Sequence, residues 1–269
     1  MIHARKRFGQ HFLHDPAVIA RIVAAVRLQP GDAAVEIGPG RGALTGALLQ
    51  AAGQLDAIEI DRDLTALLRQ RFSAQSGLRL HEADVLGFDW RSLAAERGGR
   101  LRLVGNLPYN ISTPLLFRLL DCIEVIHDMH FMLQREVAER ILASPGSDAY
   151  GRLGVMLAPR LSAERVLEVG AGAFQPPPRV ASTVLRLSVR DAPPPPPLYA
   201  AVVAAAFAQR RKTLRNALRD YLDAAHIRAL GLDPGERAEQ LSPHEFAALA
   251  RAAQQAAAPL AQVPDAVIH

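Results

Sequence analysis

At 269 residues, the chain is long enough for one sizeable core and a smaller second unit. Its 31 Lys and Arg against 27 Asp and Glu leave a net charge of only +4, so the placement of charge is more informative than its total. The single cysteine, Cys122, excludes an intrachain disulfide and a cysteine metal cluster; with no apolar run of membrane-spanning length and no apolar leader behind the basic N-terminus, a soluble, cytoplasmic protein is expected.

The first stretch, Arg5-Lys6-Arg7-Phe8-Gly9-Gln10-His11-Phe12-Leu13, combines a cationic cluster with apolar side chains that a solvated tail would not carry. Asp15-Pro16 reads as an N-cap followed by proline at the first helical position, and Val18, Ile19, Ile22, Val23 and Val26 continue at helical spacing until Pro30-Gly31. Ala33 to Gly42 is a short apolar strand breaking into a glycine turn, with a helix from Ala43 to Ala52. Gly38, Gly40 and Gly42 let the backbone approach a ligand at a helix N-terminus. The next strand, Leu55 to Ile60, delivers Glu59 about twenty residues after the glycines, where an acid can accept both ribose hydroxyls of a nucleoside cofactor. Asp61 reads as the N-cap of the following helix.

A third strand, Leu78 to His81, leads to Asp84, which has two readings: a helix cap, or an acceptor for the amino group of a cofactor's adenine. The run Leu101 to Val104 is a fourth strand and ends in Gly105-Asn106-Leu107-Pro108-Tyr109. Pro108 fixes its own φ and biases Leu107 toward an extended conformation, so a rigid turn is expected at a strand's C-terminal edge, where open α/β sheets bind ligands. An amide (Asn106) and a carbonyl not drawn into a helix (Pro108) suit an exocyclic amino group, and Tyr109 offers a ring for stacking on its base. The bland alternative is an ordinary Asn-x-Pro turn with a core tyrosine. Gly, acid, acid and Asn at four consecutive strand ends together form a nucleoside-binding constellation.

Val125 to Leu133 reads as a fifth strand, followed by a helix from Gln134 to Leu142. His127 and His130 fall on opposite strand faces, and His11 and His14 lack partner ligands, so no metal site is expected. Val166 to Gly172 imitates a second glycine loop, but Phe174-Gln175-Pro176-Pro177-Pro178 follows instead of a helix, so a turn before a proline-stiffened loop is expected. Phe174, held by prolines, is a candidate stacking platform. Val180 to Val189 alternates as a last strand, and 191–197, with five consecutive prolines, reads as a linker. Helical patterns follow over Leu198 to Ala208, Arg210 to Leu222 and shorter segments to about Ala256. Arg210, Arg211, Lys212, Arg215 and Arg219 are expected on one helix as a phosphate-tracking surface.

Taken together, Phe8-Gly9-Gln10-His11-Phe12-Leu13, Glu36-Ile37-Gly38-Pro39-Gly40, Glu59-Ile60-Asp61, Asn106-Leu107-Pro108-Tyr109-Asn110-Ile111-Ser112, the Phe174 to Ser182 segment and Arg210-Arg211-Lys212-Thr213 resemble the ribosomal RNA adenine N6-dimethyltransferase family, in its bacterial small-subunit branch. The resemblance covers nearly the whole chain. It implies an α/β, Rossmann-like S-adenosylmethionine-dependent methyltransferase domain over 1–190, the linker 191–197, a small all-helical RNA-binding domain over 198–256 and a disordered tail over 257–269. By the same resemblance His11 and Leu13 close over S-adenosylmethionine, Gly38 lies in the loop under its methionine moiety, Glu59 holds the ribose and Asp84 the adenine side, and Gly40 joins them as a cofactor-binding candidate from the glycine loop. Asn106 lies between cofactor and target base, with Pro108 and Tyr109 completing the catalytic turn, while Phe174, Arg210, Arg211, Lys212 and Arg215 contact RNA. Departures from relatives are His11, where many have asparagine, Arg179, where lysine is frequent, and the Gly170-Ala171-Gly172 turn. The implied reaction is dimethylation of N6 on two adjacent adenosines in a hairpin loop near the 3' end of 16S rRNA, within the small (30S) ribosomal subunit or its precursor, by a monomer without metal or membrane. Large-subunit methyltransferases of the macrolide-resistance type share the active-site pattern. A non-catalytic assembly or transcription factor would keep the fold without the chemistry, and a nicotinamide dehydrogenase would explain the glycines and acid but not the Asn-Leu-Pro-Tyr turn.

Overall fold

The computed structural model describes residues 11–209 and 211–257; Phe8 to Gln10 of the first motif, Arg210 and the tail over 258–269 lie outside the described residues. The chain divides into two compact units, one running to Leu142 and resuming over Arg160–Asp191, the other formed by Ala143–Pro159 with the chain from Ala192 onward.

The first unit is built on a seven-stranded sheet in the order β4-β3-β2-β5-β6-β9-β7. Its strands are β2 (Ala34–Ile37), β3 (Leu55–Glu59), β4 (Leu78–Glu82), β5 (Leu101–Asn106), β6 (Ile126–Gln134), β7 (Leu161–Val169) and β9 (Ser182–Val189). From β4 to β6 all pairings are parallel, whereas β9 pairs antiparallel with both β6 and β7. The parallel strands need crossovers, supplied by helices α2 (Thr45–Ala52), α3 (Arg62–Arg71), α4 (Trp90–Arg97) and α5 (Ser112–Leu120). Strand β2 is the point where the order reverses, because its successor β3 lies on one side and β5 on the other. The crevice at the carboxyl ends of β2 and β5 is therefore the place where such sheets bind ligands. β2 and β3 are buried along their whole length, as expected for strands covered on both faces.

Local chemistry sets the helix starts as the sequence indicates. Asp15 caps α1 (Pro16–Val26), its carboxylate accepting from the backbone N–H groups of Ala17 and Val18, and Asp61 caps α3 through the N–H of Asp63. A separate two-stranded ribbon joins β1 (Phe12–Leu13) to β8 (Phe174–Gln175). The expected turn around Val166 is instead the end of β7, which continues to Val169 because β9 supplies it with an antiparallel partner. Helix α6 (Arg135–Leu142) follows β6.

The second unit contains α7 (Arg152–Leu157), α8 (Tyr199–Phe207), α9 (Leu214–Ala217), α10 (Ala224–Ala229) and α11 (Pro243–Ala257) around a core that includes Tyr150, Val155, Tyr199, Leu214, Leu218 and Phe246. Two differences from expectation arise here. Residues 143–159, expected in the first domain, belong to the helical unit: the Tyr150 hydroxyl donates to the Leu241 carbonyl at 2.7 Å and the Tyr199 hydroxyl to the Val155 carbonyl at 2.8 Å. These are long-range contacts that no local pattern announces. The expected helix from Arg210 to Leu222 is reduced to α9, because the backbone N–H groups of Leu214 and Arg215 donate to the carbonyls of Glu236 and Pro234, and Thr213 bridges Arg237. Those donors are thereby committed outside the helix, and Arg211, Lys212, Arg215 and Arg219 are exposed around a short turn while Leu214 and Leu218 are buried. No helix among the described residues is long and apolar enough to cross a membrane.

Candidate active site

A cavity of about 320 Å³ opens at the carboxyl ends of β2, β3 and β5. It is lined by His11, Phe12 and Leu13, by the glycine loop, by Glu36, Glu59 and Ile60, by Asp84 to Leu86, and by Asn106 to Ile111. The structure thus brings to one cavity every residue expected to bind the cofactor and the whole expected catalytic turn.

The floor is the loop after β2. Gly38 and Gly40 have φ of +64° and +57°, a region that other residues rarely enter, and a Cβ on Gly40 would lie 3.2 Å from the Phe12 ring. The loop is thereby held down against the N-terminal ribbon, and the Arg41 guanidinium sits 4.5 Å above the same ring. At the end of β3, Glu59 accepts from the N–H of Gly40 at 3.1 Å and from that of Asp61 at 3.0 Å. Burial raises its carboxyl above the ordinary range, only partly opposed by the backbone N–H groups of Asp61, Gly40 and Ile60. Ionised, a carboxylate offers about four lone-pair sites, more than these donors occupy.

Glu36, on β2, stands in the glycine-loop motif, where the sequence alone assigns it no role. It is fully buried, accepts from the Thr45 hydroxyl at 2.6 Å, and is pushed up to about 7 by burial, with the nearby Glu59 adding to the rise. Among the described residues neither Glu36 nor Glu59 forms a salt bridge. Two buried carboxyls with no cation beside them among the described residues suit a positively charged ligand. Ile60, 48% exposed, lines the same cavity with Val85 and Leu86 and supplies an apolar surface for a flat ring. Its only signal in the sequence is its place directly after Glu59. Asp84 is a cap, one carboxylate oxygen accepting from the Leu86 N–H at 2.9 Å at the start of a short turn, and the residue stands exposed at the cavity wall.

The expected catalytic turn leaves β5 at Asn106. The Asn106 side-chain nitrogen donates to the His11 carbonyl at 2.9 Å, which commits the amide's donor end and leaves Oδ1 to accept. The Pro108 carbonyl departs from expectation in one respect: it already accepts from the Ile111 N–H at 3.1 Å, closing a turn before α5, so one of its two lone pairs remains for a ligand. Tyr109 is half-buried, with its ring centroid 5.7 Å from that of His11. The His11 ring in turn has Nδ1 2.8 Å from the Pro176 carbonyl.

Phe174 does not match its expected role. It is 3% exposed, pairs with Leu13 across the β1–β8 ribbon and belongs to the hydrophobic core, so its ring is not presented for stacking. The prolines stiffen the segment after it, but the strand pairing turns the side chain inward. Arg211, Lys212 and Arg215 are exposed in the helical unit, and Arg210 lies outside the described residues.

The sequence matches the ribosomal RNA adenine dimethylase family over residues 1–255. Among curated relatives, the small-subunit rRNA methyltransferase A of Methylococcus capsulatus is 55% identical over 92% of this chain and 96% of its own length. Its counterpart in Pseudomonas aeruginosa is 51% identical over 97% and 96%. Among solved structures, a dimethyladenosine transferase from Plasmodium falciparum superposes with a TM-score of 0.74 at 23% identity over 89% of this chain and 96% of that one, a likeness of fold. The 23S rRNA methyltransferase ErmE superposes with a TM-score of 0.69 at 27% identity, covering 91% of this chain and all of its own. With the Asn106 turn, the glycine loop and the two carboxyls gathered at one strand edge, the chain belongs to the ribosomal RNA adenine dimethylase family and uses S-adenosylmethionine as its methyl donor.

Proposed function

We propose that this enzyme dimethylates N6 of two adjacent adenosines near the 3' end of 16S rRNA, acting as a cytoplasmic monomer on the small ribosomal subunit or its precursor. The observation that carries this reading is the placement of the Asn106–Tyr109 turn on the same cavity as a cofactor cradle of matching chemistry. The choice of subunit follows the small-subunit relatives, which share about half of their residues with this chain across nearly its full length.

The residues present fit S-adenosylmethionine. The glycine loop, packed down on Phe12, lines the cavity floor, Glu59 offers a carboxylate to ribose hydroxyls, and Ile60 and Asp84 offer an apolar face and an acceptor to adenine. When bound, the cofactor supplies a methyl group on a cationic sulfur, an excellent leaving group. Glu36 and Glu59 complement that positive charge. The target amino nitrogen is a weak nucleophile because its lone pair is delocalised into the purine. Asn106 Oδ1 and the remaining lone pair of the Pro108 carbonyl accept its two hydrogens, which favours a tetrahedral nitrogen with a localised lone pair. Positioning then carries most of the catalysis and no strong general base is required. Tyr109 stacks on the extruded adenine, a contact worth ~1–3 kcal/mol. Arg211, Lys212 and Arg215 track RNA phosphates from the helical unit, each neutralised phosphate adding about 0.7 to the log–log salt slope.

The test is incubation with labelled S-adenosylmethionine and unmethylated small or large subunits, followed by nucleoside mass spectrometry. Dimethyladenosine in small-subunit rRNA is expected. Label confined to the large subunit would overturn the reading.

A further inference from the structure

Tyr109 can act as a stacking platform only if its ring is held in place before the base arrives, and the structure holds it at three points. The Ser112 hydroxyl donates to the Tyr109 carbonyl at 3.2 Å and fixes the backbone. The His11 ring lies near the phenol ring, inclined at 32°. At the tip, the phenol oxygen lies 3.1 Å from the hydroxyl of Ser182, 73 residues further along the chain.

Ser182 is unusual for a hydroxyl. It is 1% exposed and opens β9, where its backbone is paired on both sides, with Gln134 of β6 and with Val169 of β7. A serine locked into the middle of three antiparallel strands has little freedom to move, and a buried hydroxyl that lost its partner would be left unsatisfied. By contrast, the turn that carries Tyr109 lies between a strand end and a helix start, anchored by the Leu107 N–H on the Met132 carbonyl and by the turn bond to Pro108. The Tyr109–Ser182 bond ties this connecting segment to the most rigid framework nearby.

We propose that Ser182 is a positioning residue for base recognition: its hydroxyl fixes the orientation of the Tyr109 ring and so presets the surface on which the target adenine stacks. The inference rests on the reading of Tyr109 as that surface. It also gives the phenol oxygen a task, since a phenylalanine would stack as well but could not be tethered.

Five variants, Ser182→Ala, Tyr109→Phe, the combination of these two, Tyr109→Ala and Ser182→Thr, test it on small subunits, with methyl transfer, cofactor binding by calorimetry and thermal unfolding measured on each. Ser182→Ala and Tyr109→Phe are each expected to lower kcat/KM for the subunit about three- to tenfold, the scale of one neutral hydrogen bond, while cofactor affinity stays at the parent value. The combined variant is expected to be no worse than either single one, because both remove the same bond. Ser182→Thr, which keeps the hydroxyl, is expected to recover most of the rate. Parent rates in Tyr109→Phe, or losses that multiply in the combined variant, would overturn the inference, and Tyr109→Phe decides the matter even if Ser182→Ala fails to fold. The two readings separate cleanly. An inactive Tyr109→Ala beside a normal Tyr109→Phe removes only the tether, whereas an active Tyr109→Ala removes the stacking role itself.

Discussion

Within the sheet unit, the carboxyl ends and the amino ends of the strands treat buried acids in opposite ways. At the carboxyl ends Glu36 and Glu59 are buried without a salt bridge among the described residues, and burial raises both above the ordinary carboxylate range. Toward the amino ends the buried acids have cations. Asp128 accepts from the Arg102 guanidinium at 3.0 and 2.7 Å, and the same arginine reaches Asp32 at 2.7 Å and the carbonyls of Val26 and Arg27. Asp56, 1% exposed, is held by Arg79, Arg97 and His81; burial alone would raise it, but these donors prevail and bring it down to about 2. Paired acids satisfy one another and fix the framework. Among the described residues no cation answers the unpaired ones, and they stand where such sheets bind ligands.

Breaking the paired end is expected to have the largest effect. Arg102→Ala leaves Asp128 buried beside an empty position, and losing one partner of a buried pair costs about 3–5 kcal/mol. Urea unfolding of the variant would read that loss, and an unchanged midpoint would mean that the amino-end network adds nothing to stability.

Glu36 gives the next largest effect, with a defined sign. Its folded pKa of about 7 lies above the ordinary 4.5, so the native state holds a proton there that the unfolded chain releases. The associated stability is full below pH 4.5 and is lost as pH rises toward 7, a change of order 3 kcal/mol, at about 1.4 kcal/mol per pKa unit. Glu36→Gln is expected to remove this slope. His130, lowered by burial to about 4, works in the opposite direction over an overlapping window, losing stability as pH falls through it, so the measurement compares variant with parent at each pH. Parallel profiles would show that Glu36 does not titrate there.

Glu59→Gln then tests binding. Replacing the charged acceptor is expected to weaken S-adenosylmethionine binding by about 1.5–3 kcal/mol, roughly ten- to hundredfold, a loss read on the folded variant because the amide nitrogen also gives up one of the two backbone N–H bonds that the carboxylate accepts and so lowers the unfolding midpoint. Unchanged affinity in calorimetry would remove Glu59 from the ribose site. The smallest effect is expected from Arg79→Ala. That side chain is 43% exposed, and Asp56 keeps Arg97 and His81, so a loss below about 1 kcal/mol would confirm that the Asp56 cluster tolerates the loss of one of its three partners.

The parallel sheet, the crevice and most of the cavity are legible in the order of residues, because these rest on local chemistry. Apolar runs ending in glycine, an acid or Asn-x-Pro mark strand ends, and Asp15 and Asp61 cap their helices from within a few residues. Features that depend on distant partners emerge only once the chain is folded. Phe174 looks like a platform in sequence and becomes core once β8 pairs with β1; residues 143–159 join the helical unit through Tyr150 and Tyr199; and α9 shortens because its first N–H groups are claimed by residues 234 and 236. The roles of Glu36 and Ser182 belong to the same class. The ionisation of one and the tether formed by the other are set by burial and by neighbours across the fold, and neither leaves a pattern in the order of residues.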